Sequence, residues 1–216
     1  MEKLVPLSPR PRMTSEERRA SIVEAAMRLF AEKGFRGTTT REIAAAVGVT
    51  EPVLYEHFKT KRDLYTAIIQ QGADGAIEHF RALAAKYEGT GDDRGFFEDL
   101  AHLVIRVHTA NGGRFVRLLL FSNLEGHELK DLFFERGGKL GLDIVAEYIE
   151  RRVAEGVMQG DPAVASRCFW NIIGHHCLIT LVFGCKRLPY SDEEVVRQMV
   201  DIFLRGMYRD GGTQPR

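Results

Sequence analysis

The sequence predicts an all-α protein, and three observations carry that prediction. Apolar residues recur at steps of three and four along most of the chain, the spacing of one helix face. Strand signals are absent throughout. Two short helical stretches with polar outer faces flank Gly48, in the order helix, turn, helix.

The N-terminal third divides cleanly. Residues 1–13 hold Pro6, Pro9 and Pro11 beside Lys3, Arg10 and Arg12, and read as a flexible basic arm. Thr14 or Ser15 opens a strong helix. Ile22, Ala25, Ala26, Leu29 and Phe30 form its apolar face, and Gly34 ends it with Phe35 tucked back as an anchor. A second helix follows over residues 38–47, capped by Thr39 or Thr40, with Ile43, Ala44 and Val47 as its buried stripe. Gly48 supplies the turn, where positive φ is expected.

The third helix, residues 50–57, is the stretch around which the chain is organised. Val49, Leu54 and Phe58 anchor it, while Thr50, Glu51, Tyr55 and His57 fall on the other side. Thr50 is expected to cap it, and Pro52 is tolerated in its first turn. A helix this brief is marginal alone, so neighbours must hold it and its polar face must point outward. Such a second helix enters a DNA major groove. Residues 14–65 are therefore expected to form a three-helix DNA-reading domain.

Charge agrees with that placement. The whole chain is neutral, with 30 basic and 30 acidic residues. Residues 1–65 hold 12 Lys and Arg against 9 Asp and Glu, a net of +3, and the rest of the chain carries −3. A modest basic excess beside the reader suits phosphate binding.

The order AAMRLFAEKGFRGTTTREIAAAVGVTEPVLYEHFKTKRDL resembles the N-terminal domain of the tetracycline-repressor (TetR) family across about residues 18–65. The resemblance implies a two-fold dimer of all-helical subunits, each with a DNA reader and a divergent ligand-sensing body. Such proteins are mostly repressors released from a palindromic operator by a small molecule. Carried over residue by residue, Thr39, Thr40, Tyr55, His57 and Lys61 match positions that hold phosphates. Thr50, Glu51, Pro52 and Val53 match the face shown to base edges. Glu51 departs from the Lys or small residue common there. It either accepts from a cytosine amino group or serves as a first-turn acid complementing the helix dipole. Arg41 is the more plausible basic contact, with a solvated charge as its alternative.

Residues 66–210 form the body. A connecting helix over residues 59–86 is interrupted by Gly72 and Gly75, an expected kink. Residues 88–95 read as a loop. Five helical stretches follow, over residues 96–110, 114–124, 127–157, 162–184 and 192–208. The fourth is apolar nearly all round. Together with the fifth it is expected to meet its copy in a four-helix dimer interface through Phe169, Ile173, Leu181, Val196, Val200, Phe203 and Met207. The resemblance places an effector pocket inside the body. Candidate lining residues are aromatic or polar ones within apolar helices: His102, Arg106, Phe115, Phe121, Ser122, Phe133, Phe134, Trp170, Asn171 and His175. Arg106 can face an anionic ligand or pair with Asp99 or Glu98.

Other functions find little support. No GxSxG elbow or Walker loop occurs, and the glycines at 137–141 follow no strand, so no catalyst and no cofactor is expected. His175 and His176 point about 100° apart on a helix and rarely chelate together, so no metal is expected. Three cysteines without a CxxC pair fit a reducing compartment. The N-terminus lacks the apolar core of a signal peptide, and no run is long enough to span a membrane. A cytoplasmic protein is expected. The alternative to an effector-relieved repressor is a constitutive or architectural DNA binder without an effector.

Overall fold

The computed structural model describes residues 13–124, 138–185 and 188–209. Among these residues the chain forms nine α-helices and no β-strand; the one extended contact is an isolated bridge between Met158 and Tyr208. The basic arm falls outside the described residues, as do Phe133 and Phe134.

Three helices make the reader: α1 (Ser15–Lys33), α2 (Thr40–Val47) and α3 (Glu51–His57). Both α1 and α2 open on reciprocal capping boxes, Thr14 with Glu17 and Thr39 with Glu42, which satisfy orphan N–H groups at each start. Gly48 ends α2 in the left-handed region at φ 74°, a conformation open to glycine without steric cost. The buried Thr38 hydroxyl donates to Gly34 O and Leu29 O, satisfying carbonyls at the end of α1. Thr50 differs from expectation. It occupies the N-cap of α3 through its backbone, but its side chain makes no cap bond. Ile22, Phe30, Ile43, Leu54 and Phe58 close a shared core, in which the rings of Phe30, Phe35 and Tyr65 meet pairwise, tilted or edge-on, with centroids 5.5–5.6 Å apart.

The reader core does not stop at residue 65. Ile68 and Ile69 on α4 (Lys61–Lys86) belong to it, and so does Leu118 from α6 (Arg114–Leu124). Tyr65 Oη donates to the Leu118 carbonyl at 3.4 Å. The reader is thus sewn to the body through α4 and α6.

The body surrounds α5 (Asp93–Thr109), which packs against α4, α8 (Pro162–Leu181) and α9 (Asp192–Met207). The helix α7 (Lys139–Ala154) runs along α8 and also touches α4. At the far end sits a buried charge cluster. Asp93 is fully buried and accepts from Arg152 Nε at 2.7 Å, Arg152 Nη2 at 3.0 Å, Tyr148 Oη at 2.8 Å and Tyr208 Oη at 3.3 Å. Arg152 also pairs with Glu155. Burial pushes both tyrosine hydroxyls far above their ordinary pKa, so they remain donors to the carboxylate.

One expectation is corrected here: Gly72 and Gly75 do not interrupt α4, which is one continuous helix through both. Gly72 serves close approach instead, because a Cβ there would lie 2.5 Å from Phe115 Cε2. The expected dimer residues lie as follows. Phe169, Ile173, Val196, Val200, Phe203 and Met207 are buried in the subunit's own core, where α5 covers them. Leu181 is half-buried and packs at Gly113. An all-round apolar helix gives no stripe by which sequence can tell an inward face from an outward one. The large apolar residues left exposed on these helices are Val164 and Ile202.

Candidate nucleic-acid interface and effector cavity

The short α3 is held against α2 by polar side chains as well as by Leu54. Thr40 Oγ1 donates to Glu51 Oε1 at 2.6 Å. Its proton so committed, Thr40 accepts from Tyr55 Oη at 3.4 Å. The structure therefore joins three of the predicted DNA residues into one chain of hydrogen bonds across the turn. Glu51 is oriented by Thr40 and keeps its second oxygen as an acceptor. Thr39 is consumed locally: its hydroxyl serves the α2 cap and donates to Glu42 Oε2. Glu42 in turn takes an ion pair from Lys33 at 2.6 Å. That hydrogen bond from Lys33, with the Thr39 backbone N–H next, lowers the Glu42 pKa to about 2.

Arg41, Thr50, Pro52 and Tyr55 are exposed, while Val53 and His57 are half-buried. Lys61, expected on phosphate, is already engaged within the subunit. Its ammonium donates to Phe35 O at 2.8 Å and Thr38 O at 2.9 Å and lies 4.4 Å from the Phe35 ring centroid. It pins α4 to the α1–α2 turn.

Within the body a cavity of about 450 Å³ opens between α4, α5, α6, α7 and α8. Phe80, Phe115, Leu119, Leu142 and Trp170 make its walls apolar, with His108, Arg167 and Asn171 as polar groups. Trp170 meets Phe80 edge-on at 5.5 Å and donates to Gly141 O at 3.1 Å. A Cβ on Gly141 would stand 2.8 Å from the indole, so glycine there admits the ring. His108 Nδ1 lies 2.8 Å from Val104 O, a carbonyl that can only accept, so this nitrogen carries the proton. Burial lowers the His108 pKa and favours the neutral ring, which leaves Nε2 an acceptor.

Of the expected pocket residues, Phe115, Trp170 and Asn171 line this cavity. His102, Arg106, Phe121, Ser122 and His175 are not among its lining side chains. Arg106 and His175 are exposed, and His102 and Phe121 are half-buried. Glu98 and Asp99, offered as partners for Arg106, pair instead with Arg94 and Lys86. Ser122 is buried, and its hydroxyl has no hydrogen-bond partner among the described residues. Sequence reasoning missed Gly72, Ile77, Phe80, His108, Gly141 and Arg167. His108, a histidine late in an apolar helix, was the available signal.

Comparison with known proteins agrees with this architecture. Residues 22–68 match the family described as bacterial regulatory proteins, tetR family. Residues 100–209 match the AefR-like transcriptional repressor C-terminal domain. The chain belongs to the tetR family of bacterial regulatory proteins, with a body of the AefR-like repressor type. It is a helix-turn-helix transcriptional regulator. It is 37% identical over 70 residues to the transcriptional activator FasR of Mycolicibacterium smegmatis, a match spanning 32% of each chain. It is 24% identical over 203 residues to the uncharacterised regulator YvkB of Bacillus subtilis, covering 88% of this chain and 96% of that protein. The structure of the Bacillus subtilis regulator FadR with stearoyl-CoA superposes with a TM-score of 0.70 at 16% identity, over 88% of this chain and 99% of FadR. Among the described residues no helix is long and apolar enough to cross a membrane.

Proposed function

We propose that this chain is a homodimeric repressor whose hold on a palindromic operator is relieved by a small, largely apolar effector in the 450 Å³ cavity. One observation carries the reading. Phe115 and Leu119 of α6 line the cavity, and both pack against the core of the DNA reader, whose buried member Leu118 lies between them. An effector that shifts these side chains shifts the floor on which the reader rests. An architectural binder has no need of such a cavity, which favours the sensor over that alternative. FadR, similar in fold, was solved with an acyl-CoA.

On the DNA side, α3 enters the major groove. Thr50, Pro52, Val53 and the free oxygen of Glu51 face the bases, and Arg41, Tyr55 and His57 face the backbone. Thr39 and Lys61 brace the reader from within. Dimerisation uses the outer faces of α8 and α9, where Val164 and Ile202 are uncovered. A two-fold pair of readers then meets half-sites about 34–36 Å apart. The protein acts in the cytoplasm, where its DNA lies, and the reading includes no catalysis, cofactor or membrane contact.

The test is selection of binding sites from random duplex DNA by the full chain, with sedimentation of the free protein. Inverted half-sites one helical turn apart and a dimer at micromolar concentration are expected. A stable monomer that selects single, non-palindromic sites would contradict the reading. Loss of operator binding with a lipophilic compound that also perturbs Trp170 fluorescence would complete it.

A further inference from the structure

The effector cavity does not end at Phe115. On the far side of that ring lies a second cavity of about 470 Å³, bounded by α1, α4 and the start of α6. The two share Gly72, Ala76, Val107 and Phe115 as a common wall. What distinguishes the second is α1, a reader helix, which gives it Ala20, Val23 and Met27 and gives the first nothing. Phe115 is the one aromatic ring of that shared wall. Phe115 lies on the α4 backbone where residue 72 has no side chain, at a distance that a Cβ would reduce to 2.5 Å.

Polarity is arranged along the same line. Arg167 and Asn171, both exposed, stand on α8 at the outer cavity, with the His108 acceptor nearby. Inward, the buried and half-buried side chains of the second cavity are apolar (Val23, Met27, Ile68, Ala76 and Phe115), while its polar ones, Glu24, Gln71 and His79, are exposed. Such an axis suits an amphipath, its anionic head at Arg167 and its apolar tail directed at Phe115.

We propose that Phe115 is a gate and that the second cavity is a tail subsite. Building on the effector reading above, an anionic amphipath with a slender apolar tail releases DNA when that tail displaces the ring and enters the space against α1. A ligand that stays in the outer cavity and leaves Phe115 in place neither touches α1 nor shifts the α6 side chains beneath the reader, so it has little means of favouring one reader position over another. A ligand shifts an equilibrium only by its differential affinity for the two states. A tail past the gate gains that difference twice. It presses on Ala20, Val23 and Met27, and it removes Phe115 from its contacts with the reader core. Occupancy and release are therefore separable by tail length.

The experiment uses the full chain on its selected operator, with saturated fatty acids of six to eighteen carbons as probes. The single tryptophan, Trp170, lines the outer cavity and reports occupancy, while anisotropy of labelled operator reports release. Short acids should quench Trp170 and leave DNA bound. Beyond a threshold length, DNA binding should weaken by roughly 5–150-fold. Ala20→Phe, which fills the second cavity from its exposed rim, should abolish the release by long acids while short acids still quench; Ala20→Leu should raise the threshold. Phe115→Ala should tighten long acids relative to short ones. Equal release by short and long acids, or long-acid release unaltered by either Ala20 variant, would overturn the gate. Failure of every acid to quench Trp170 would overturn the amphipath and its tail subsite while leaving operator recognition standing.

Discussion

The reader and the body are held together by polar contacts of opposite kinds. In the reader the polar groups are short-range and largely at the surface. Thr14 meets Glu17, Thr39 meets Glu42, Thr40 meets Glu51 and Lys61 reaches Phe35, all within 26 residues of one another. In the body one buried carboxylate gathers partners from distant segments: Asp93 is 59 residues from Arg152 and 115 from Tyr208. The difference teaches where each region can yield. The reader is many small ties around a small core, so no one tie dominates. The body is clamped at the Asp93 end and open at the Phe115 end, so an occupant of its cavity meets less resistance on the side nearest the DNA.

The comparison breaks most readily at Asp93. Asp93→Ala leaves Arg152, whose side chain is 10% exposed, with Glu155 at one nitrogen and without its buried carboxylate, and removing one partner of a buried pair costs about 3–5 kcal/mol. Chemical denaturation followed by Trp170 fluorescence should show that loss in the body. A loss below about 1 kcal/mol, the worth of an ordinary exposed pair, would mean the clamp is not one.

Lys61→Ala is next. Two hydrogen bonds from a charged donor and an aromatic contact disappear, a stability cost of about 1.5–3 kcal/mol. The salt dependence of operator binding should hold its slope, since the ammonium is already engaged. A slope lowered by about one unit would return Lys61 to the phosphate backbone. Thr39→Ala should cost about 1 kcal/mol through loss of the α2 cap, with Thr39→Ser recovering most of it.

The smallest effect is pH-dependent. Glu42 has a folded pKa lowered to about 2 from the ordinary glutamate value of 4.5. Its contribution is present in full above the unfolded pKa and is lost as pH falls through the folded one. The window is therefore about pH 4.5 down to 2, with stability falling as acid is added. Glu42→Gln should flatten that part of the stability profile, and an unchanged profile would show the pair with Lys33 to be idle. Both groups are exposed, so the effect is modest and screened by salt.

What sequence made legible follows the same division. The caps of α1 and α2, the glycine turn at Gly48 and the apolar face of α1 are local patterns, set by neighbours three or four residues away. The connection between regions was not legible, because Leu118 joins the reader core from 49 residues beyond Ile69, the buried member that precedes it in the chain. Which dimer residues turn inward within the subunit was not legible because α8 is apolar nearly all round, and only tertiary packing chooses the inward side. Gly72 read as an interruption of its helix because glycine in a helix weakens it. Its missing side chain proves to be space for Phe115, a requirement visible only once α6 is laid on α4. Trp170 and Phe115 were placed correctly in the cavity, since large aromatic groups in apolar helices are where cavity walls are found. His108 and Arg167 needed the geometry.

The central claim is that the cavity and the reader are energetically linked through α4 and α6. Its most direct test is to titrate one long-chain fatty acid that quenches Trp170 against free protein and against protein saturated with operator. Linkage requires that DNA weaken the ligand by the factor with which the ligand weakens DNA, roughly 5–150-fold. The account predicts equal reciprocal factors in that range. Identical ligand affinities in the two titrations would contradict it and leave a DNA binder with an unconnected cavity.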